Sequence, residues 1–227
     1  MTCKEYRKRA WDKLRLDWGK PILIFFIINL LSGGVAIGAN ININKENFGP
    51  EFIAIVTAIG TISGMIALVI TGPFSLSRKK VALSISRDNE YETKDAFFGF
   101  YNFLSSLLLH VLTSLFILLW TLLLIIPGII KALSYSMSFF ILHDHPDMDA
   151  NDAIKESMRI MEGHKWELFK LNLSFIGWIL LSILTLGILF LWISPYIEVA
   201  NAEFYETIKP IEDEIVEEIN EDTIEEI

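Results

Sequence analysis

Residues 101–142 read YNFLSSLLLHVLTSLFILLWTLLLIIPGIIKALSYSMSFFIL, and the near absence of charge in that stretch decides the fold. Its 42 positions hold one fixed charge, Lys131, with His110 taken as neutral. As a helix it would extend about 63 Å, twice the roughly 30 Å hydrocarbon core of a bilayer. The run must therefore fold back within its own length. Pro127-Gly128 is the expected turn, because Pro cannot continue a helix and Gly permits a reversal. Two spans result, about 101–126 and 129–143.

The rest of the chain follows the same pattern. Residues 21–39, 52–77 and 171–197 carry no charge. The 227 residues are 52% hydrophobic, with a mean hydropathy of +0.45. Helical spans of about 20 residues use up roughly half of such a chain and leave no room for a soluble catalytic domain. The fold class is all-α, a polytopic transmembrane helical bundle. Span 1 is about 21–39, with Pro21 tolerated in its first turn. The polar loop 40–51, with Asn40, Asn42, Asn44, Asn47, Gly49 and Pro50, leads to span 2 at about 52–73. The last apolar stretch has two readings. Residues 171–193 form one span, giving five in all. Alternatively Thr185-Leu186-Gly187 turns the chain, so that about 166–184 and 188–206 complete six spans as three hairpins.

Charge sets the orientation. Residues 1–20 hold seven Lys and Arg, residues 75–95 hold five and residues 143–170 hold four, so 16 of the 19 fall in segments that alternate topology puts on one side. By the positive-inside rule that side is cytoplasmic. The N-terminus is cytoplasmic too, and the six-span reading puts the C-terminus there as well. Residues 207–227 carry nine acids and one base, so the formal charge of −9 belongs almost wholly to a tail. Such a tail is expected to be disordered, beside a single membrane domain at 1–206. The basic N-terminal stretch is too long for a signal peptide and residues 32–40 offer no clear small-residue cleavage site bounded by a short apolar core, so span 1 is expected to stay as an uncleaved anchor. Cys3 is the only cysteine, which excludes an intrachain disulfide or a thiolate metal cluster.

Two segments read as amphipathic helices lying in the cytoplasmic interface. In residues 3–18, Tyr6, Ala10, Leu14 and Trp18 recur on one face, and Lys4, Arg7, Lys8, Arg9, Lys13 and Arg15 cover the rest. In residues 149–162, Asp149 is a candidate cap, Ala150, Ala153, Ile154, Met158 and Met161 share a side, and Gly163 is a stop.

Candidate chemistry is sparse. His143-Asp144-His145, with Asp147 and His164, has ligand types suited to zinc or manganese. Beside Pro146 in a loop it reads instead as a polar turn, so no metal is expected, nor any other cofactor. Gly34 with Gly38 and Gly60 with Gly64 let helices approach closely, within the bundle or against a second copy. Glu198, Asn201 and Glu203 carry the sharpest hypothesis. In a six-span chain Glu198 stands about 15 Å into the return helix, where a carboxylate is rare and often functional. No phosphate-binding glycine loop, nucleophile triad or zinc helix is present. The basic segments suit membrane lipids and give no sign of nucleic-acid readout.

One further signal is a resemblance. Arg9-Ala10-Trp11 and Trp18-Gly19-Lys20 precede span 1, and Gly72-Pro73-Phe74-Ser75-Leu76 follows span 2. Asp95-Ala96-Phe97 and Gly99-Phe100 come next, then Ile126-Pro127-Gly128-Ile129-Ile130-Lys131 and Tyr135-Ser136-Met137. Ala153 to Ser157, Gly163-His164-Lys165-Trp166, Leu184 to Gly187, Pro195-Tyr196 and Glu203-Phe204-Tyr205 complete the series. With these motifs in this order, the chain over about residues 3–206 resembles an uncharacterised family of bacterial integral membrane proteins, domain of unknown function nine-seven-five. That family is similar, more distantly, to six-span proteins that include the membrane portion attached to some glycerophosphodiester phosphodiesterases. The resemblance implies six spans and a bacterial cytoplasmic membrane, and no phosphodiesterase activity. The expected function is non-enzymatic: membrane organisation, or an accessory or regulatory role alongside lipids and a membrane-protein partner or second copy. The alternative is a small secondary transporter built on Glu198 and Asn201, with Pro195 interrupting the helix.

Overall fold

The longest helix is the one that the charge pattern cuts short. The structure is a computed structural model describing residues 1–38, 49–185 and 187–209. In it α1 spans Cys3–Leu14, α2 Gly19–Gly38 and α3 Pro50–Ser86. The 37 residues of α3 rise about 55 Å, well beyond a bilayer core. The sequence reading ends this span at residue 73 and gives 75–95 to a connector, whereas the helix passes through Pro73 to Ser86. Local bonds bridge the proline. The Ser77 hydroxyl donates to the Pro73 carbonyl at 3.1 Å and accepts the Gly99 N–H at 2.9 Å. The helix stops in a Schellman turn. Asp88 takes a left-handed φ of +56°, and the Asn89 N–H donates to the Ser84 carbonyl at 2.8 Å. Asp is among the few non-glycine residues that visit this conformation.

A 3₁₀ segment, Thr93–Phe100, then leads to α4 (Phe103–Leu123), α5 (Ile125–Tyr135), α6 (Ser138–Asp144), α7 (Ala150–Ile160), α8 (Lys165–Leu173), α9 (Ile176–Leu184) and α10 (Phe190–Ile208). No strand occurs among the described residues. Among the described residues four helical stretches are long and apolar enough to cross a membrane: Ala54–Ser86, Phe103–Leu123, Ile125–Asp144 and Lys165–Leu184. A shorter apolar helix covers Gly19–Ser32. The Asn-rich loop through residue 48, Leu186 and the acidic tail from 210 onward lie outside the described residues.

The 101–142 run folds back three residues before Pro127. Leu124 is extended (φ −159°, ψ +138°) between α4 and α5. Pro127 sits in the first turn of α5, where its missing N–H has no partner to lose. Gly128 has a different role from the one its turn signal suggests. A Cβ there would overlap the Thr121 hydroxyl and stand 2.9 Å from the Thr121 Cα, so glycine allows α5 to lie directly on α4. At the other reversal α9 stops at Leu184, and Gly187 (φ +84°) donates its N–H to the Ser182 carbonyl at 2.8 Å. α10 then runs unbroken through Pro195.

Both segments that read as interfacial helices turn their apolar stripes to protein. On α1, Tyr6, Ala10 and Leu14 are buried. The Tyr6 ring meets Phe204 of α10 edge-on at 5.5 Å, and its hydroxyl lies 3.0 Å from Thr207. On α7, Ala150, Ala153, Ile154 and Ile160 are buried. The Ser157 hydroxyl donates to the Ser134 carbonyl at 2.7 Å and accepts the Met137 N–H at 3.2 Å. Asp149 occupies the N-cap position without a capping side-chain bond. A helical stripe is visible in sequence, but its partner is not. Here other helices cover it.

Burial is correspondingly uneven. Ile55, Ile59, Ile62 and Met65 of α3, Leu118 and Leu122 of α4, and Ile183 and Leu184 of α9 are exposed. A continuous apolar surface of this extent suits lipid, not water. The packed core uses the later part of α3 (Phe74, Leu76, Val81, Leu83), α6 (Phe140 to Leu142), α10 (Val199, Ala200, Phe204) and α1.

Candidate functional site

Glu198, the residue that sequence singles out, faces a basic triplet that sequence assigns to a connector. Because α3 continues past Pro73, it carries Arg78, Lys79 and Lys80 into the bundle on a rigid helix. Lys79 Nζ lies 2.6 Å from Glu198 Oε2 and 4.7 Å from the centroid of the Phe140 ring. Arg78 Nη2 donates to the Ser32 hydroxyl at 3.0 Å, which donates in turn to the Ile28 carbonyl at 2.6 Å. Lys80 Nζ reaches Asp95 at 2.5 Å and lies over the Phe98 ring. A cavity of about 280 Å³ opens beside the Lys79–Glu198 pair, with Ser75, Arg78, Thr113 and Tyr135 on its walls. Arg78 Nε is buried and has no hydrogen-bond partner among the described residues.

Asn201 and Glu203 lie further along α10 and do not join this cavity. The Asn201 side-chain oxygen is buried without a partner among the described residues. Glu203 is 4% exposed. It accepts the Ser86 hydroxyl at 2.8 Å and has Lys13 and Arg9 of α1 at 3.8 and 3.9 Å. Lys13 also reaches Asp88 at 2.7 Å and donates to the Ser86 carbonyl. Glu198 and Glu203 therefore serve two junctions, one between α10 and α3 and one that adds α1.

A third junction escapes sequence reasoning altogether. Arg87, just past the end of α3, grips Asp144 with two bonds of 2.9 and 2.6 Å and donates its Nε to Glu206 at 2.9 Å. Tyr205 adds a hydroxyl bond to Asp144 at 3.1 Å. Burial works against the Arg87 charge, but the hydrogen bonds and charges of Asp144 and Glu206 outweigh it and hold the guanidinium above its usual pKa. Asp144 thus belongs to an ion pair, although its neighbours give it the look of a metal ligand. His143 Nδ1 stands 3.0 Å from it. Among the described residues no three His, Cys, Asp or Glu side chains converge on a metal position. Lys131 lies over Trp120 at 5.1 Å and near Tyr135.

The glycine pairs fall on helices that neighbour each other. Gly34 and Gly38 are in α2, and Gly60 and Gly64 are in α3. The signal that would have found the basic partners is the lack of any breaker between Phe74 and Ser86: an uninterrupted helix cannot discard its charges into a loop. Their acidic partners stand up to 119 residues away in sequence and leave no local trace.

The comparisons with known proteins agree with the motif pattern. A family model described as Protein of unknown function (DUF975) matches residues 1–134 and 121–212. The chain belongs to that family. No curated protein and no solved structure gives a significant match.

Proposed function

We propose that this family member is a non-enzymatic six-span protein of the bacterial cytoplasmic membrane, acting as a membrane-organising, accessory or regulatory component. The observation that carries this reading is the closure of its charged groups on one another. Glu198 meets Lys79, Glu203 meets Ser86 and Lys13, and Asp144 meets Arg87. Paired, partly buried charges of this kind hold one helix in register against another. An even number of crossings is supported by the Tyr6–Thr207 contact, because it holds the first and last helices at the same face. The Lys and Arg distribution supports a cytoplasmic location for that face.

Two measurements test the topology. In a Cys3→Ser background, Leu124→Cys should react with an impermeant maleimide on intact cells, whereas Asn89→Cys should react only after permeabilisation. A fluorescent reporter at the C-terminus should light up in the cytoplasm, and alkaline phosphatase there should stay inactive. The reverse pattern at the C-terminus would leave an odd number of spans.

The transporter reading draws on the cavity beside Glu198. Glu198→Gln separates the two. If the pair is structural, the variant loses about 2 kcal/mol, because Lys79 keeps a charge with no counter-ion. That corresponds to roughly 4–8 °C in melting temperature for a chain of this size, and no flux changes. If the carboxylate couples transport, pH-dependent uptake into proteoliposomes is present in the parent and disappears in the variant. The first outcome is expected.

A further inference from the structure

The cytoplasmic-side helix α1 has a second stripe. Tyr6, Ala10 and Leu14 are buried against the bundle. Lys4, Arg7, Lys8 and Trp11, at positions i, i+3, i+4 and i+7, share another face. That face borders two adjoining depressions. One, of about 380 Å³, is lined by Lys4, Arg7, Lys8, Trp11 and Tyr196. The other, of about 500 Å³, is lined by Trp11, Trp18, Trp178 and Trp192 with Leu189, Ile193 and Tyr196. Trp11 and Tyr196 are common to both, so they form one groove with a basic end and an aromatic end. Four of the chain's six Trp residues lie in it.

We infer that this groove is a binding site for a single anionic phospholipid. The basic end takes the phosphate, and the aromatic end takes part of one acyl chain. The direction fits. Tyr196, beside α1, and Leu189, the N-cap residue of α10, are seven positions apart, so the trough runs about 10 Å away from the basic end. Trp and Tyr favour the level where headgroup meets acyl chain.

The side chains are held in place before any ligand arrives. The Tyr196 hydroxyl donates to the Arg7 carbonyl at 3.1 Å, and its ring meets Trp11 at 5.8 Å and Phe175 at 5.1 Å. Trp11 packs edge-on to Trp18 at 5.3 Å. The Arg7 guanidinium lies 5.2 Å from the centre of the Phe175 ring. Its Nη1 donates to the Ser174 carbonyl at 3.4 Å, and its Nε is buried with no acceptor among the described residues. A phosphate in the depression adds negative charge beside this guanidinium.

Size favours a lipid over a partner helix. A helix about 10 Å across would fill the aromatic end with roughly one turn, whereas sites of about 300–1,000 Å³ suit molecules of small-ligand size. The inference does not depend on the choice between accessory protein and transporter, since the groove is separate from the Glu198 cavity.

The test uses the full-length protein in nanodiscs and the fluorescence of its own Trp residues. Brominated phosphatidylglycerol and brominated phosphatidylcholine, introduced at equal mole fraction, are compared as quenchers. Lipid in the general annulus quenches without regard to headgroup. A built anionic site should show roughly tenfold preference for the glycerol lipid. The double variant Lys4→Glu with Lys8→Glu, which leaves the Arg7 contacts intact, should remove most of that preference while the size-exclusion profile stays unchanged. Equal quenching by both lipids in the parent overturns the proposal, and that measurement needs no variant to fold. A preference that survives the double substitution places the site elsewhere and also overturns it. Resistance to both quenchers together with a dimeric mass would give the groove to a second copy of the chain and refute the lipid assignment.

Discussion

Replacing Arg87 by Gln should destabilise the protein by about 3 kcal/mol, one of the largest effects expected from a polar substitution in this chain. Three helix ends meet at this one guanidinium. α3 ends beside it, α6 ends at Asp144 and α10 supplies Glu206. The forked geometry uses both Nη atoms on Asp144 and the Nε on Glu206, the bidentate arrangement that makes Arg more than a point charge. Asp144 and Glu206 are only 15% and 22% exposed at their side chains. Removing the cation therefore leaves the Asp144 carboxylate with only Tyr205 and His143 beside it, and Glu206 with Lys209 at 3.2 Å. The melting temperature in nanodiscs should fall by roughly 6–12 °C. Arg87→Lys restores the charge without the fork and should recover about half of the loss. Asp144→Asn in the Arg87→Gln background should cost less than in the parent, because the two substitutions act on one interaction. Melting within a degree of the parent for Arg87→Gln would show that the helix ends are held by apolar packing alone.

What the sequence reveals here follows from the range of each interaction. The uncharged runs at 101–142 and 171–197 are local facts, and helices cover most of both. The length argument is also local, and the 101–142 run does reverse. The reversal is displaced to Leu124 because Pro127 is as well suited to starting a helix as to ending one. The end of α3 was hidden for a different reason. Arg78-Lys79-Lys80 looks like a solvated connector unless Glu198 and Asp95 are known to meet it, and Glu198 lies on another helix. The stripe on α1 was legible from its four-residue period. The surface covering it is Phe204 and its neighbours, nearly 200 positions away. At Asp144 the flanking histidines offer metal-ligand types and the segment reads as a polar turn, but its partner is an arginine 57 residues earlier, which no local pattern shows. Of the polar trio, Glu198 and Glu203 sit at helix junctions, but only the fold tells which junction each one joins.

Gly99→Ala should be at least as damaging as Arg87→Gln, by a purely steric route. A Cβ on Gly99 would overlap the Pro73 carbonyl oxygen and stand 2.8 Å from the Pro73 Cα. Both neighbours are backbone, so no side chain can swing aside. Overpacking of this kind costs about 1–3 kcal/mol where the surroundings relax, and more where they cannot. The site is also where α3 tolerates its proline. The Gly99 N–H bonds to Ser77, and Ser77 bonds to the Pro73 carbonyl. Pushing the two backbones apart breaks that bridge one turn before Arg78 and Lys79. The variant should therefore lose about 3 kcal/mol or more and should also disturb the Lys79–Glu198 pair. Gly177→Ala provides the contrast on the same chain. Gly177 lies inside α9 with nothing within 4 Å of an added Cβ. There alanine should be neutral or stabilising by up to about 1 kcal/mol, through helix propensity alone. Thermal unfolding of the two variants side by side separates a contact that the fold requires from a glycine that it merely contains. If Gly99→Ala melts with Gly177→Ala, the close approach of the 3₁₀ segment to Pro73 is absent, and the path of α3 into the charged layer needs another cause.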